Sequence, residues 1–272
     1  MYEYPPTAVP VEREHLGPDS FSLAGRVAVV TGAAVGIGRG IALAFGRFGA
    51  DVAICDRDEE QLDEVAIELR GSGHRVVTGV LDVRDPLAVQ SFVDRVSTEF
   101  VRVDVLVNNA GGGFAADFLD VNDRGQDALV HENFTSVTNF VRSCVPLMVD
   151  GGSIVNITSI EAHRAAPNFA VYSAMKAGVA SLSKSLALEL GHRLIRVNCI
   201  APDVIPTPGI GDVEVRTPLP IAGHVDDVAA AAVYLASDAS RFVTGTTIHV
   251  DGGNLAAGGW IRQADGTFGT GV

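Results

Sequence analysis

Thr31-Gly32-Ala33-Ala34-Val35-Gly36-Ile37-Gly38 is the stretch from which the rest of the chain is read. The run before it, Arg26-Val27-Ala28-Val29-Val30, is apolar and β-branched, as befits a strand buried on both faces. After it, Ile41, Leu43, Ala44, Phe45 and Phe48 recur at helical spacing. The glycines therefore sit at a strand-to-helix turn. The free N–H groups and positive dipole end of such a helix suit a dinucleotide pyrophosphate. Gly32 can take the positive φ of a sharp turn, Gly36 lets the backbone approach phosphates, and Gly38 lets the helix pack close to the strand. An ordinary glycine-rich turn would look the same, so its context matters. Asp56 follows Gly36 by twenty residues and closes the next apolar run, Asp51 to Cys55. An acid there can accept both ribose hydroxyls of NAD and would repel a 2′-phosphate. Ala34 and Val35 offer no cation to such a phosphate.

Outward from this turn, strands and helices alternate. A helix is expected over Asp58 to Leu69, stopped by Gly71 and Gly73, then a strand over Arg75 to Leu81 that ends at Asp82-Val83. Pro86 opens a helix to about Phe100. A buried strand, Val103 to Val107, leads into Asn108-Asn109-Ala110-Gly111. One long helix is expected from about Gly125 to Met148. Further strands follow at Ser153 to Thr158, Ile195 to Ile200 and Thr246 to Val250, with helices at Val171 to Leu190 and Val225 to Ala236. Such alternation implies an α/β, doubly wound parallel sheet with helices on both faces. Ligands gather beyond the carboxyl ends of its strands, so Asp56, Asp82, Asn109, Ser159 and Pro202 should line one crevice.

Composition narrows the function. The chain has 272 residues and a net charge of −13, which argues against nucleic acid and against anionic membranes. Its longest apolar stretches, such as Val228 to Ala236, are too short to span a bilayer, and no secretory signal opens the chain. Cys55, Cys144 and Cys199 lie in apolar segments without metal-ligand spacing. They read as buried free thiols of a cytoplasmic protein. Residues 1–22 read as an extended, proline-bearing arm, residues 23–253 as one Rossmann-type domain, and residues 254–272 as a glycine-rich tail with Trp260 as its single large anchor. The proline-rich stretch Asp203 to Gly223 is the one long irregular segment, a candidate lid.

The chemistry is concentrated in Tyr172-Ser173-Ala174-Met175-Lys176. Residues four apart share a helix face, so Lys176 can stand beside the Tyr172 hydroxyl. A free phenol, with a pKa of about 10, is a poor base at neutral pH. A neighbouring ammonium is expected to lower that value and suit the pair to proton transfer with an alcohol or ketone oxygen. Ser159, thirteen residues earlier at a strand end, can hydrogen-bond a substrate carbonyl oxygen. Read alone, it is equally a helix-capping serine.

Together the glycine turn, Asn108-Asn109-Ala110-Gly111, Ser159 and Tyr172-x3-Lys176 resemble the short-chain dehydrogenase/reductase family over about Leu23 to Gly253. The resemblance implies a seven-stranded parallel sheet in the order 3-2-1-4-5-6-7 and a homotetramer or homodimer. It implies Tyr172 as general acid/base, Ser159 orienting the substrate oxygen, Lys176 holding the nicotinamide ribose and lowering the Tyr172 pKa, and Asn133 holding a relay water. It further implies an NAD-contacting set of Gly32, Ala34, Val35, Gly36, Ile37, Gly38, Asp56, Arg57, Asp82, Val83, Asn109, Ala110, Gly111, Tyr172, Lys176, Pro202, Ile205 and Thr207. Asp82 and Val83 would meet the adenine, Asn109 a ribose, and Ile205 and Thr207 the carboxamide. Asp203 departs from the family's usual Pro-Gly, so the lid entry should be shaped differently.

The expected activity is hydride transfer between NAD(H) and a secondary alcohol or ketone. Phe114, His163 and Phe169 flank the motifs and are candidate substrate contacts. With no extra basic residue evident near the mouth, the substrate is expected to be apolar, hydroxysteroid-like or ring-hydroxyl. A 3-oxoacyl or 3-hydroxyacyl thioester is the alternative. A non-catalytic NAD-binding scaffold would have no need of the intact Ser159, Tyr172 and Lys176 set.

Overall fold

A computed structural model of the chain describes residues 15–149, 151–207, 215, 217–263 and 265–270. Most of the expected arm, residues 1–14, and the centre of the candidate lid, residues 208–214 and 216, lie outside the described residues, as do 150, 264, 271 and 272.

The apolar run before the glycine turn forms β1 (Val27–Thr31), every residue of which is buried. Around it lie β2 (Asp51–Asp56), β3 (Val76–Val80), β4 (Val105–Asn108), β5 (Gly152–Ile157), β6 (Ile195–Pro202) and β7 (Thr247–Val250). They make one seven-stranded sheet in the order 3-2-1-4-5-6-7, and every neighbouring pair is parallel. Alternation along each strand divides the core into two layers. Ala28, Val30, Val52 and Ile54 pack towards α1 (Gly36–Arg47), α2 (Glu59–Gly71) and α7 (Val225–Ala236). Val27, Val29, Ala53 and Leu106 pack towards α3 (Pro86–Phe100), α5 (Ser136–Cys144) and α6 (Ala170–Leu190).

The single helix expected over Gly125 to Met148 is segmented. It runs as α4 (Asp123–Val130), a π turn (His131–Thr135), α5 and a closing 3₁₀ turn (Val145–Leu147). The π turn carries Asn133, whose side chain reaches out of the helix to bond another segment. Helical apolar periodicity does not register such an extra residue.

The chain ends also differ from expectation. Residues Pro18–Phe21 coil into a 3₁₀ turn, and the Phe21 ring lies 6.5 Å from that of Tyr234 on α7. Leu23 behind it is fully buried, so this part of the arm is docked on the domain. The tail forms a short helix, α8 (Asn254–Ala257), and an antiparallel hairpin of β8 (Trp260–Arg262) and β9 (Phe268–Thr270). Trp260 is 54% exposed, so about half of this side chain faces solvent on the hairpin.

Candidate active site

The glycine turn is shaped by contacts that admit no side chain. Gly32 and Gly36 have φ of +64° and +59°, in the left-handed region that favours glycine. A Cβ at Gly38 would lie 2.0 Å from the Gly32 carbonyl oxygen, so helix and strand meet backbone to backbone. Asp58, Asp85 and Asn122 cap α2, α3 and α4 with their own side chains. The start of α1, at Val35, has no side-chain cap. Its leading N–H groups are the kind that cradle a phosphate. The glycine cradle and uncapped helix start thus fit a pyrophosphate.

Asp56, at the end of β2, points back at this turn. One carboxylate oxygen accepts from the Ala34 N–H at 3.0 Å, and the other from Arg57 N–H at 2.7 Å and Asp58 N–H at 3.2 Å. Asp82 follows β3, where Arg84 holds its carboxylate through Nε at 2.9 Å and lowers its pKa, with Arg57 nearby contributing. Val83 is buried beside it.

Two assigned cofactor contacts are engaged with the protein itself. The Asn109 Nδ2 donates to the Thr31 and Gly32 carbonyls at 3.0 and 2.9 Å, so this amide pins the glycine turn. The Ile205 side chain lies in the core at 3% exposure, leaving only its backbone to face a ligand. Pro202 ends β6 and is buried, and the Thr207 methyl group would be 3.2 Å from a Cβ at Gly36. Sequence reasoning missed Thr31. Its hydroxyl accepts the N–H groups of Asn109 and Ala110 at 3.0 and 2.9 Å and ties the ends of β1 and β4 together. A polar residue closing an otherwise apolar strand was the available signal.

The second half of the site lies at the end of β5. The Tyr172 hydroxyl is hydrogen-bonded with Ser159. Burial raises its pKa above the ordinary phenol range, outweighing the Ser159 bond, and the Glu161 charge raises it further. The expected lowering by Lys176 is therefore corrected. The Lys176 Nζ donates to the Ile157 carbonyl at 3.0 Å and stands 5.7 Å from the Tyr172 ring centroid. The ammonium is itself pushed down to about 8 by burial, against the pull of Glu132. A charge beside the ring but held by a strand carbonyl does not overcome the desolvation of the phenol.

Asn133, fully buried, faces the same space. Its amide donates to the carbonyls of Gly112 at 2.8 Å and Leu129 at 3.0 Å, and its Oδ1 accepts from Gly112 N–H at 3.2 Å. A Cβ at Gly111 would sit 2.7 Å from Asn133 Oδ1 and 3.0 Å from Lys176 Nζ. Gly111 thus keeps open the space that Asn133 and Lys176 share.

On the substrate side, Phe114 and Phe169 line one cleft with Tyr172, together with Phe118, which sequence reasoning passed over. Asn168, at φ +68°, receives the Ala116 N–H at 3.0 Å and joins the two segments that bear these rings. His163 is not in this cleft; its ring packs against His249 of β7 at 4.7 Å. No cation is among the described residues that line this cleft. Arg164, five residues after Ser159, bonds Glu161 at 2.8 Å and approaches Asp203 at 3.9 Å. Its loop had no periodicity from which to place it.

A nucleotide cradle at β1, with Ser159, Tyr172 and Lys176 gathered on the same sheet edge, thus accompanies the 3-2-1-4-5-6-7 strand order. A family model described as enoyl-(acyl carrier protein) reductase matches residues 32–254. The chain belongs to the short-chain dehydrogenase/reductase family. It is 38% identical over 241 residues to the 3-oxoacyl-[acyl-carrier-protein] reductase of Thermotoga maritima, covering 85% of this chain and 98% of that protein. A 7α-hydroxysteroid dehydrogenase complexed with NADH and 7-oxo glycochenodeoxycholic acid superposes with a TM-score of 0.84 at 31% identity, covering 88% and 98% of the two chains. A gluconate 5-dehydrogenase from Burkholderia cenocepacia, in complex with NADP and tartrate, gives 0.82 at 33% identity, covering 88% and 98%. As a family member this chain is an oxidoreductase of CH–OH groups. Among the described residues, no helix is long and apolar enough to cross a membrane.

Proposed function

We propose that this chain oxidises a secondary alcohol, or reduces the matching ketone, with NAD(H), and that the substrate carries an apolar ring beside the reacting carbon. The observation that carries this reading is the Ser159–Tyr172 hydroxyl pair set beside a wall formed by Phe114, Phe118 and Phe169. Residues 23–253 act as one catalytic unit.

A bound nicotinamide dinucleotide supplies the hydride acceptor for oxidation and the donor for reduction. The chain does the rest. The turn from Gly32 to Gly38 holds the pyrophosphate, Asp56 a ribose, and Asp82 with Val83 the adenine. Lys176, with Gly111 leaving room beside it, holds the nicotinamide ribose, and the backbone of Ile205 and Thr207 its carboxamide. In oxidation the Tyr172 oxygen takes the proton of the substrate hydroxyl while Ser159 donates a hydrogen bond to the same oxygen. In reduction Tyr172 returns that proton to the carbonyl oxygen. Asn133 holds the water through which Lys176 exchanges protons with solvent.

Asp56 supports NAD over NADP. Its carboxylate is fixed beside the turn by the Ala34 N–H and by the N–H of Arg57, and a 2′-phosphate brought beside it would be repelled. The three buried free thiols support a reducing, cytoplasmic setting. The long helices α4–α5 and α6, whose Leu188 is exposed, support a homodimer or homotetramer. A 3-oxoacyl thioester is the second reading, favoured by the likeness to the Thermotoga reductase. A panel of cyclic and steroidal alcohols, their ketones and 3-oxoacyl thioesters, followed by nicotinamide absorbance with NAD and NADP in parallel, tests all of this. Turnover of a ring alcohol with NAD is the expected result. Turnover confined to thioesters, or higher efficiency with NADP, overturns the corresponding part.

A further inference from the structure

The loop after Ser159 carries an ion bridge that the mechanism above leaves unused. The Glu161 backbone N–H donates to Ser159 Oγ at 3.1 Å. The Glu161 carboxylate accepts from the Arg164 guanidinium at 2.8 Å through a terminal nitrogen and at 3.3 Å through Nε. The same guanidinium stands 3.9 Å from Asp203 Oδ1, beyond β6. The other oxygen of Asp203 receives Asn254 Nδ2 at 2.6 Å, at the start of α8. Arg164 therefore stands among the segments that follow β5, β6 and β7. Glu161 and Asp203 are well shielded, at 23% and 11% side-chain exposure, so solvent screens this bridge less than a surface pair.

We propose that Arg164 is a positioning residue for proton transfer, holding the Glu161 carboxylate off the Tyr172 hydroxyl and fixing the loop that sets the Ser159 hydroxyl. The proposal rests on Tyr172 being the proton carrier. Among the described residues, the charged and polar groups around that hydroxyl are few. Ser159 and Glu161 face it from the loop after β5, and Lys176 from its own helix. The Phe169 ring lies 6.4 Å from the Tyr172 ring, and Gly113 packs its backbone against that ring from the segment after β4. Glu132, in the π turn, acts on Lys176. Asp203 stands 3.9 Å from Arg164, the Asp251 charge also acts on that guanidinium, and the His163 ring packs on His249 and feels the Lys184 charge. Among the described residues, Glu161 is the one carboxylate acting directly on the phenol, and it makes the phenolate harder to form. A guanidinium fork can grip Glu161 while still facing Asp203, which a lysine ammonium does less well.

The chain has four tyrosines, so Tyr172 is isolated by subtracting from each protein the tyrosinate absorbance of its Y172F counterpart across pH. R164Q should titrate at higher pH than the parent, and E161Q at lower pH. R164K should fall between R164Q and the parent. On the rising limb, the phenolate fraction at fixed pH should change by about threefold in each direction, as for one charge gained or lost at this range in a partly screened site. NAD-dependent alcohol oxidation should shift along pH in the same sense, in kcat rather than in KM for NAD. Coincident titrations of R164Q and the parent overturn the proposal. If R164Q does not fold, E161Q decides: an unshifted curve is equally fatal. Full turnover by Y172F would instead remove Tyr172 as the proton carrier, and this proposal with it. An inert Y172F alongside unshifted R164Q and E161Q leaves that reading standing and removes the ion bridge alone.

Discussion

A methyl group at Gly38, beneath the cofactor side of the cleft, would lie 2.0 Å from a carbonyl oxygen, whereas one at Gly112, beside the substrate side, would meet nothing within 4 Å. The two sides differ in what is met: a Cβ at Gly113 would reach a side chain, the Tyr172 ring, at 3.1 Å, not backbone. Below the glycine turn, backbone meets backbone, and Thr31, Asn109 and Asp56 bond main-chain groups. Across the cleft, Phe114, Phe118, Leu219 and Ile221 stay exposed, and the segment from Asp203 to Gly223 has no regular structure among its described residues. A pyrophosphate is the same in every dinucleotide, so the surface that holds it can be made of invariant main chain. Substrate shape is met by side chains, which change without disturbing the sheet.

The largest effect is expected at the junction of the two sides. Tyr172→Phe keeps the ring and removes the proton carrier, so turnover should fall at least ~10²-fold while NADH still binds. Near-normal turnover in a folded, cofactor-loaded variant would place proton transfer elsewhere. Gly38→Ala attacks the cofactor side alone. Overpacking there should cost about 1–3 kcal/mol in thermal stability or NADH affinity, and Gly112→Ala should be neutral by the same measurements. Equal effects at the two glycines would erase the contrast. Asp56→Ala removes a charge-assisted bond and a repulsion together. Preference for NAD, read as the ratio of kcat/KM values, should fall by about tenfold or more.

Lys176 gives a stability effect with a definite sign. Burial lowers its pKa from 10.5 to about 8, so the folded chain releases that proton before the unfolded chain does. Between these values the unfolded state binds more protons, and this group's contribution to stability rises with pH. Below about pH 8 the buried ammonium carries its full cost. Lys176→Met should flatten this rise in urea-unfolding midpoints measured across that range; an unchanged slope would mean the ammonium is solvated. The smallest effect is expected from truncation after Gly253, since the hairpin leaves Trp260 exposed on its own chain. If the tail docks on another subunit, truncation should reduce the assembled mass by light scattering or shift substrate KM. Unchanged mass and kinetics would show it to be dispensable.

The two sides also differed in how readable they were. The parallel sheet followed from Val27 to Val30, the glycine spacing and the strand–helix alternation, because a buried parallel strand and a close helix–strand contact each demand particular residues. The strand order came instead from the family resemblance and matches the sheet found. Ser159, Tyr172 and Lys176 were legible as a group, but their electrostatics were not. Spacing places Lys176 beside Tyr172 without showing that Ile157 claims the ammonium or that burial dominates the phenol. Arg164 escaped because a loop has no period, and the hairpin of the tail because glycines and scattered apolar residues suit many conformations.

The π turn at His131–Thr135 has a consequence for angular phase. Leu129 and Val137, both buried, are eight residues apart, and at the roughly 100° per residue of a regular helix they would point about 80° away from each other. One extra residue absorbed in the wide turn takes back about that rotation and returns both to the core-facing side. The helix therefore spends one residue, in the stretch around Asn133, that adds nothing to its apolar stripe. Excising a single residue between Leu129 and Ser136 would let the helix close regularly, at the cost of the side chain that faces Gly111 and Gly112. An insertion of one residue elsewhere in α5 would have no such slack and would turn Phe140, Val141 and Cys144 away from the sheet.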